Sequence, residues 1–432
     1  MRVSKILLTV IVLLSSVSGS VWAQHSLTVD AAIAIAVANN RELAAARVAI
    51  REAEARLQQA SLWPNPEVEV NGRFDNAFNN EGEHNFATGV SQPFSISGRI
   101  SAQTGVARVN IERTGAEVAD LERRIVGTVR RTFTELLALE EQISLQKFLV
   151  RLNNELLSAT RAGLKQGQIS EKDVNAIHIA LQQAQQRQKV LETQKQSRLL
   201  ELNKLLGRPA DSIFITLGNL EFKPLHDLSI FTPAKAMERR PDFLVARLDV
   251  ETAKADQRLA GAQRFEDWRI GADYEREKTV VNGAPPQDTS QFIGLKMVIP
   301  LPLFDRKQGR IRETLALEDR AQKTVEALKL QIGQELADAL NRVKSLAPLL
   351  ESYTAGILKQ AEGNVKLVED GYRKGLASIV EVIQSRQQFA ELKSSYIDTV
   401  REYQLALIDL EIAAGLFPNA MHHNQPTGMK KP

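Results

Sequence analysis

Residues 28 to 62 repeat their apolar positions every three to four places, as a helix with one buried face does. The cluster Trp63-Pro64-Asn65-Pro66 ends that pattern, because proline has no amide to donate and restricts the residue before it. The period then drops to two. Val68, Val70 and Phe74 alternate with Glu67, Glu69, Asn71 and Arg73, which predicts a strand with one apolar and one polar face. A polar loop, NAFNNEGEH, leads to a second run from Asn85 to Ser95. Residues 98 to 165 contain no proline and read as one helix, about 100 Å long at 1.5 Å per residue. A shorter helix over 169 to 206 follows.

The same succession returns in the second half. AVANNRELAAARVAIREAEARLQQA, from Ala36, aligns without a gap on AMERRPDFLVARLDVETAKADQRLA, from Ala236, pairing Arg47 with Arg247, Ala53 with Ala253 and Ala60 with Ala260. GQISEKDV, from Gly167, aligns on GLASIVEV, from Gly375, and LLGRP at Leu205 lies opposite AAGLFP at Ala413. Self-similarity of this kind marks one unit written twice. The second unit carries a helix over 233 to 263 and strands over Trp268–Glu275 and Gln291–Leu303, joined by NGAPPQDTS. A long helix over 306 to 374, with a kink at Pro348, and a helix over 376 to 414 complete it. In each unit the two short helices, stacked end to end, match the long one. On the last helix Phe389, Leu392, Tyr396, Val400, Tyr403, Leu407 and Leu410 form a coiled-coil seam. The domain reading is a first repeat over 24–220 with its β-hairpin at 66–95 and its tip near 163–170. A second repeat covers 221–418, with its hairpin at 267–303 and its tip near 372–378, and a tail covers 419–432.

Composition narrows the setting. Arg2 and Lys5, the apolar run Ile6 to Leu14 and the small residues around Val21-Trp22-Ala23 read as a cleaved export signal over residues 1–23. No cysteine occurs, which excludes disulfides, thiolate metal sites and a lipidated cysteine anchor. The 55 basic and 52 acidic residues nearly cancel, so no nucleic acid partner is implied. After the signal no run is apolar enough for a spanning helix, so a membrane role falls to the strands. Each is near the 9 to 11 residues, roughly, of a membrane-crossing strand. The strands alone fit two soluble hairpins equally well, and the tall helical wall shifts the balance. In lipid, four strands per chain leave open edges with unpaired amides and carbonyls. Several copies must then share one barrel: three would supply twelve strands, although two or four would also close. The fold class is mainly α with β, each protomer built from two repeats of a long helical hairpin plus a β-hairpin.

Two repeats, each with a proline-bounded strand hairpin and a helical tip reading G-x-x-S, resemble the TolC-like outer membrane efflux proteins over essentially the whole mature chain. LWPNPEVEV, from Leu62, and GVSQPFSISGRISA, from Gly89, are most similar to the channel subunits of cobalt-zinc-cadmium type efflux systems. The resemblance implies a homotrimeric α/β-barrel with twelve strands in outer membrane lipid and a helical tunnel in the periplasm. It also implies two partners, a periplasmic adaptor (membrane fusion protein) and an inner membrane pump of the proton-driven resistance-nodulation-division type, and no enzymatic chemistry or cofactor. Tyr372 matches a tyrosine that locks neighbouring helices at the closed tip, and Asp173 matches the aspartate it bonds. Glu381 matches the first of two acidic positions at the tunnel mouth, where threefold symmetry would make a carboxylate ring. The second acidic position is Gln384 here and the basic residue of the lock is Ala377, so less charge and fewer lock bonds are expected. Gly163, Gly167, Gly375 and Ser378 fall where the helices reverse and would admit an adaptor helix, or serve turn geometry alone.

The histidines form no ligand pattern: His25, His84, His178 and His226 are isolated, and His422-His423 lies in the tail. The SLQK string at Ser144 lacks the companion motifs of penicillin-recognising enzymes and is assigned no catalysis. Two rival readings stay open at this point. One is a periplasmic coiled-coil scaffold or adaptor, and the other is a duct for organic drugs or type I secretion.

Overall fold

A computed structural model describes residues 26–75, 82–225, 227–280, 284–285 and 288–416. The export signal, the tail, His25, His226 and His422-His423 lie outside the described residues. The chain runs β1 (Ser26–Leu27), α1 (Val29–Asn39), α2 (Arg41–Ala60), β2 (Glu67–Phe74), β3 (His84–Phe94), α3 (Arg99–Lys165) and α4 (Glu171–Leu205). It continues with β4 (Ile215–Thr216), α5 (Pro233–Arg239), α6 (Pro241–Ala262), β5 (Trp268–Lys278) and β6 (Ser290–Val298). α7 (Gln308–Ser352), a π-turn (Tyr353–Ile357), α8 (Leu358–Arg373) and α9 (Ile379–Ala413) end it.

The 67 residues of α3 form one uninterrupted helix, the axle of the molecule. On it pack α2 and α4 on one side and α6 and α9 on the other, and α7 packs against α6 and α9 in turn. Its buried face, including Val129, Phe133 and Leu136, joins Val37, Leu43, Leu202, Leu206 and Phe214 in the largest apolar cluster. A second cluster surrounds Leu336, Val343, Val400, Tyr403 and Leu410. Of the anticipated seam on α9, Val400, Tyr403 and Leu410 are buried. Phe389, Leu392, Tyr396 and Leu407 are only half-buried, the deeper line running through Ala390, Ile397 and Ala406.

Five features depart from the sequence reading, one being that β5 runs on to Lys278 where Glu275 was expected to end it. The helix expected over 28 to 62 breaks at Asn40 into α1 and α2, and the one expected over 233 to 263 breaks at Arg240 into α5 and α6. Both break residues are extended, with ψ of 126° and 122°. Asn40 turns the chain by capping α2, its Oδ1 accepting from Leu43 N at 3.0 Å. Arg240 precedes Pro241, whose ring disfavours helix at the residue before it. In the long helix of the second repeat α7 continues through the exposed Pro348. The departure from α-geometry falls downstream, at Tyr353–Ile357, where Gly356 has φ 163°. The Thr354 hydroxyl donates there toward the carbonyls of Leu350 and Glu351, at 3.2 and 3.0 Å. Finally, β6 stops at Val298 rather than Leu303, since Pro300 and Pro302 have no amide for a ladder.

The segment between the repeats carries structure that periodicity did not reveal. β4 pairs in parallel with β1. Farther on, the fully buried Tyr403 of α9 donates its hydroxyl to Lys223 O and accepts from Leu225 N, both at 3.1 Å. Its ring meets Phe222 edge-on, with centroids 5.0 Å apart.

Candidate functional site

The two hairpins make one antiparallel sheet in the order β2-β3-β5-β6. Directly opposed residues share a face, so the register sorts the side chains. Val68, Val90, Ala272 and Leu295 form one row, and Val70, Thr88, Tyr274 and Ile293 the next, on an apolar face. Glu67, Ser91, Gly271 and Lys296, and then Glu69, Gly89, Asp273 and Gly294, line the opposite, polar face. Ile293 and Leu295 are 86% and 93% exposed, so the apolar face is bare.

The polar face is concave. Lys296 Nζ of β6 reaches Glu69 Oε2 of β2 at 2.9 Å, although two strands lie between them. Three strand spacings in a flat sheet would separate those strands by about 14 Å. Glycines make the curl possible: a Cβ at Gly271 would stand 2.6 Å from Val90 O, and one at Gly294 2.8 Å from Asp273 Oδ2. Five carboxylates (Glu67, Glu69, Asp273, Glu275, Glu277) share this face with Arg73, Arg269 and Lys296, so its balance is acidic. The curled sheet is an open wall with a polar inside and a greasy outside. Its edges, β2 and β6, have no partner strand among the described residues.

At the far end of the helices the two tips are built alike. Each long helix closes on a left-handed glycine, Gly167 with φ 71° and Gly375 with φ 74°. In each, the amide three residues past the last helical residue bonds back: Gln168 N to Gly163 O at 2.9 Å, and Leu376 N to Gly371 O at 2.8 Å. Ser170 and Ser378 then cap α4 and α9. Gly163 is close-packed, since a Cβ there would lie 2.6 Å from Ile169 Cδ1, whereas nothing crowds Gly167 or Gly375. Exposed apolar side chains flank both turns, Leu164 at one and Leu376 at the other.

The acidic residues singled out from the sequence occupy one and the same position in the two repeats. Asp173 and Glu381 are each three residues past the capping serine. Asp173 Oδ2 accepts from Ser170 Oγ at 2.7 Å. Glu381 completes a capping box, its Oε2 accepting from Ser378 N at 2.9 Å while its own amide donates to Ser378 Oγ at 3.3 Å. Within one chain, then, both carboxylates serve helix starts. Tyr372 is half-buried against the cluster of Leu157, Val174, Ile177, Leu181 and Ile379. The residue after Asp173 thus belongs to the cluster on which Tyr372 packs.

One further residue near the tip had no signal in the sequence. Arg386 of α9 bonds Glu369 of α8 at 2.7 Å and donates to Leu152 O of α3 at 3.2 Å, tying three helices. His84 Nδ1 donates to Gly82 O at 3.1 Å, and His178 and Ser144 are exposed on helices. Among the described residues no group of His, Asp and Glu could hold a metal ion, and no helix is long and apolar enough to cross a membrane.

The comparisons agree with this geometry. Over 384 residues the chain is 21% identical to the "Cobalt-zinc-cadmium resistance protein CzcC" of Cupriavidus metallidurans, covering 88% of each chain. Over 409 residues it is 24% identical to the "Pyoverdine export outer membrane protein OpmQ" of Pseudomonas putida, covering 90% of this chain and 84% of that one. The crystal structure of CusC superposes with a TM-score of 0.75 at 18% identity, over 90% of this chain and 92% of that one. The family model "Outer membrane efflux protein" matches twice, over residues 32–208 and 232–416. The chain therefore belongs to the outer membrane efflux protein family, a channel of the outer membrane whose helices form a tunnel on the periplasmic side.

Proposed function

We propose that three copies of this chain close a twelve-stranded barrel and form the exit duct of a tripartite efflux system that exports heavy-metal cations. The observation that carries the duct is the curled, open sheet with a bare apolar outside and a charged inside. In lipid its free edges require partners, and β6 of one copy can meet β2 of the next. The outer helical columns support the same closure. Ile179, Val190 and Leu200 on α4, and Leu315, Leu330 and Leu349 on α7, are large apolar side chains left exposed in one copy.

Two features favour metal cations as cargo: the similarity to a cobalt-zinc-cadmium resistance protein and the acidic excess on the concave face, which threefold symmetry would multiply. The similarity to a pyoverdine export protein favours the second reading, a duct for organic compounds. Growth of a deletion strain with and without the gene, across cobalt, zinc, cadmium, nickel, copper and silver salts and several organic toxicants, separates them. Sensitivity confined to metals is the expected result; sensitivity to organic compounds alone would move the duct to the other reading.

At the tip, Tyr372 and Asp173 form the lock between neighbouring coiled coils, and Glu381 sets cation preference at the mouth. Gly163, Gly167, Gly375 and Ser378, with the exposed leucines beside them, receive the periplasmic adaptor, behind which an inner membrane pump of the resistance-nodulation-division type works. A tyrosine hydroxyl donating to a carboxylate makes a charge-assisted yet reversible bond, which suits a latch. Tyr372→Phe with Asp173→Ala should raise conductance in planar bilayers, and an unchanged conductance would remove the lock. Glu381→Gln, which keeps the capping geometry, should shift the reversal potential in a salt gradient toward lower cation preference.

A further inference from the structure

β5 sorts its charges by side. From Tyr274 to Lys278 the sequence reads Tyr-Glu-Arg-Glu-Lys, and strand alternation sends Glu275 and Glu277 to the concave face and Arg276 and Lys278 to the outer one. The inner pair is accounted for by the lumen: Glu275 accepts a hydrogen bond from Asn85 there. Arg276 and Lys278 instead share the apolar face.

Register fixes its height. Arg276 lies opposite Phe86 of β3 and Gln291 of β6, and Lys278 lies opposite His84. Both stand beyond the two apolar rows centred on Ala272 and Tyr274, toward the hairpin loops. The helices occupy the periplasmic side, so the strand ends at Phe74, His84, Lys278 and Ser290 lie toward the outer surface. From Trp268 to Arg276 the strand climbs about 27 Å, which a tilt of about 40° reduces to about 20 Å, most of the roughly 25 Å apolar band of such barrels. The two cations therefore meet the headgroup layer of the outer leaflet, and not its acyl chains. Arg276 is exposed and makes no ion pair among the described residues. Phe86 and Tyr274 beside it supply the amphipathic flank on which long basic side chains snorkel.

We propose that Arg276 and Lys278 form a docking surface for the phosphate groups of outer-leaflet lipid headgroups, one patch on each copy. A guanidinium matches a phosphate in charge and in bidentate geometry, and the neighbouring ammonium adds a second positive charge. The cost of a cation on a lipid-facing strand is large at the midplane and small at the interface, which is where these two stand.

The test uses the purified full chain in detergent, presented with an equal mixture of a phosphorylated glycolipid and its dephosphorylated counterpart of the same acyl composition. After washing, the retained lipid is counted by native mass spectrometry. Enrichment of the phosphorylated lipid is expected, at about fivefold for each basic residue near an anionic surface. Arg276→Gln with Lys278→Gln should remove most of it, and Arg73→Gln on the concave face should leave it intact. Should the double variant fail to fold, the wild-type enrichment must fall as salt is raised, and Arg276→Lys, which keeps the charge and loses the bidentate fork, must retain more of it than Arg276→Gln. Equal retention of the two lipids by the wild-type chain, or full enrichment in a folded double variant, would overturn the proposal.

Discussion

The two repeats meet the same mechanical problem at mid-height and solve it differently. In each, the leading helix pair breaks where the trailing helix ends, so that two short helices stack against one long one. In the first repeat the joint is neutral. Asn40, 6% exposed, donates to Leu205 O at the end of α4 while capping α2. In the second the joint is ionic. Arg240, 3% exposed, holds Asp242 and Glu335 and donates to Ala413 O at the end of α9. Arg123 of α3 adds bonds to Asp120 and Asp242. Two buried cations thus face the carbonyl end of α9, the favourable pole of its dipole. One backbone solution tolerates either chemistry because the shared requirement is a donor aimed at the last helical carbonyls. The difference lies in what failure costs: a lost amide leaves unpaired dipoles, and a lost guanidinium leaves unpaired charges.

That contrast can be broken in order of expected effect. Arg240→Ala takes from the half-buried Asp242 its bidentate partner, leaving it the longer contact to Arg123, and leaves Ala413 O without its donor. It should destabilise the purified protein by about 3 kcal/mol, read by thermal unfolding in detergent. Burial pushes the Asp242 carboxyl up, but its bonds to Arg240 and the charges of Arg123 and Arg240 hold it below the usual range. A depressed carboxyl contributes its stability above about pH 4, its unfolded value, and loses it as pH falls through the folded value. The wild-type chain should therefore lose stability on that acid side, and Arg240→Ala should lose less there.

Gly207→Ala should come next, at about 2–4 kcal/mol, and should exceed Gly415→Ala. Both glycines are left-handed. A Cβ at Gly207 would stand 2.2 Å from the Asn39 carbonyl oxygen, whereas one at Gly415 would first meet the side chain of Arg239 at 2.8 Å. Equal losses would mean that left-handed φ, and not the close approach, governs both joints. Asn40→Ala should cost about 1–3 kcal/mol, a cap plus a buried acceptor left empty. Arg240→Ala proving the milder of the two would overturn the ranking of ionic over neutral joint. The smallest effect is expected at the tips. Ser378→Ala, which dismantles a complete capping box, should cost about 1 kcal/mol, and Ser170→Ala less, by the same unfolding measurement.

The long helices carry the contrast downward. α3 is continuous and buries residues along most of its length. Its counterpart passes through a π-turn into α8, which buries none in the single chain. The first repeat supports itself, whereas the lower part of the long helix of the second stays uncovered in the single chain.

Much of this could be read from residue order. Helix and strand periods, the proline cluster after Ser61, the proline-free run of α3 and the doubled pattern are local properties, set by backbone sterics and one-sided burial. They placed every long element and both tips. The sequence also showed that Asp173, Glu381 and Tyr372 sit at the tips, because glycine and serine mark a helix reversal. The Ser-x-x-Asp and Ser-x-x-Glu spacing at Ser170 and Ser378 and the proline after Arg240 are local signals that the reading passed over. Residue order could not show that Arg386 reaches Leu152 O, or that Asn40 and Arg240 close on the ends of α4 and α9. Those depend on which carbonyls arrive from elements more than a hundred residues away. The charge sorting on β5 was hidden for a simpler reason: the strand was expected to stop at Glu275, short of the alternation that carries it.

By itself, then, the sequence determined the elements, their duplication and the two-faced character of the strands, since these follow from neighbours along the chain. The tertiary structure alone decided that the four strands join in one sheet, that the sheet curls toward its charged face, and that each mid-height joint closes on a distant helix end. Curvature and closure depend on the space that Gly89, Gly271 and Gly294 leave between strands and on donors meeting remote acceptors, and neither has a period in the sequence.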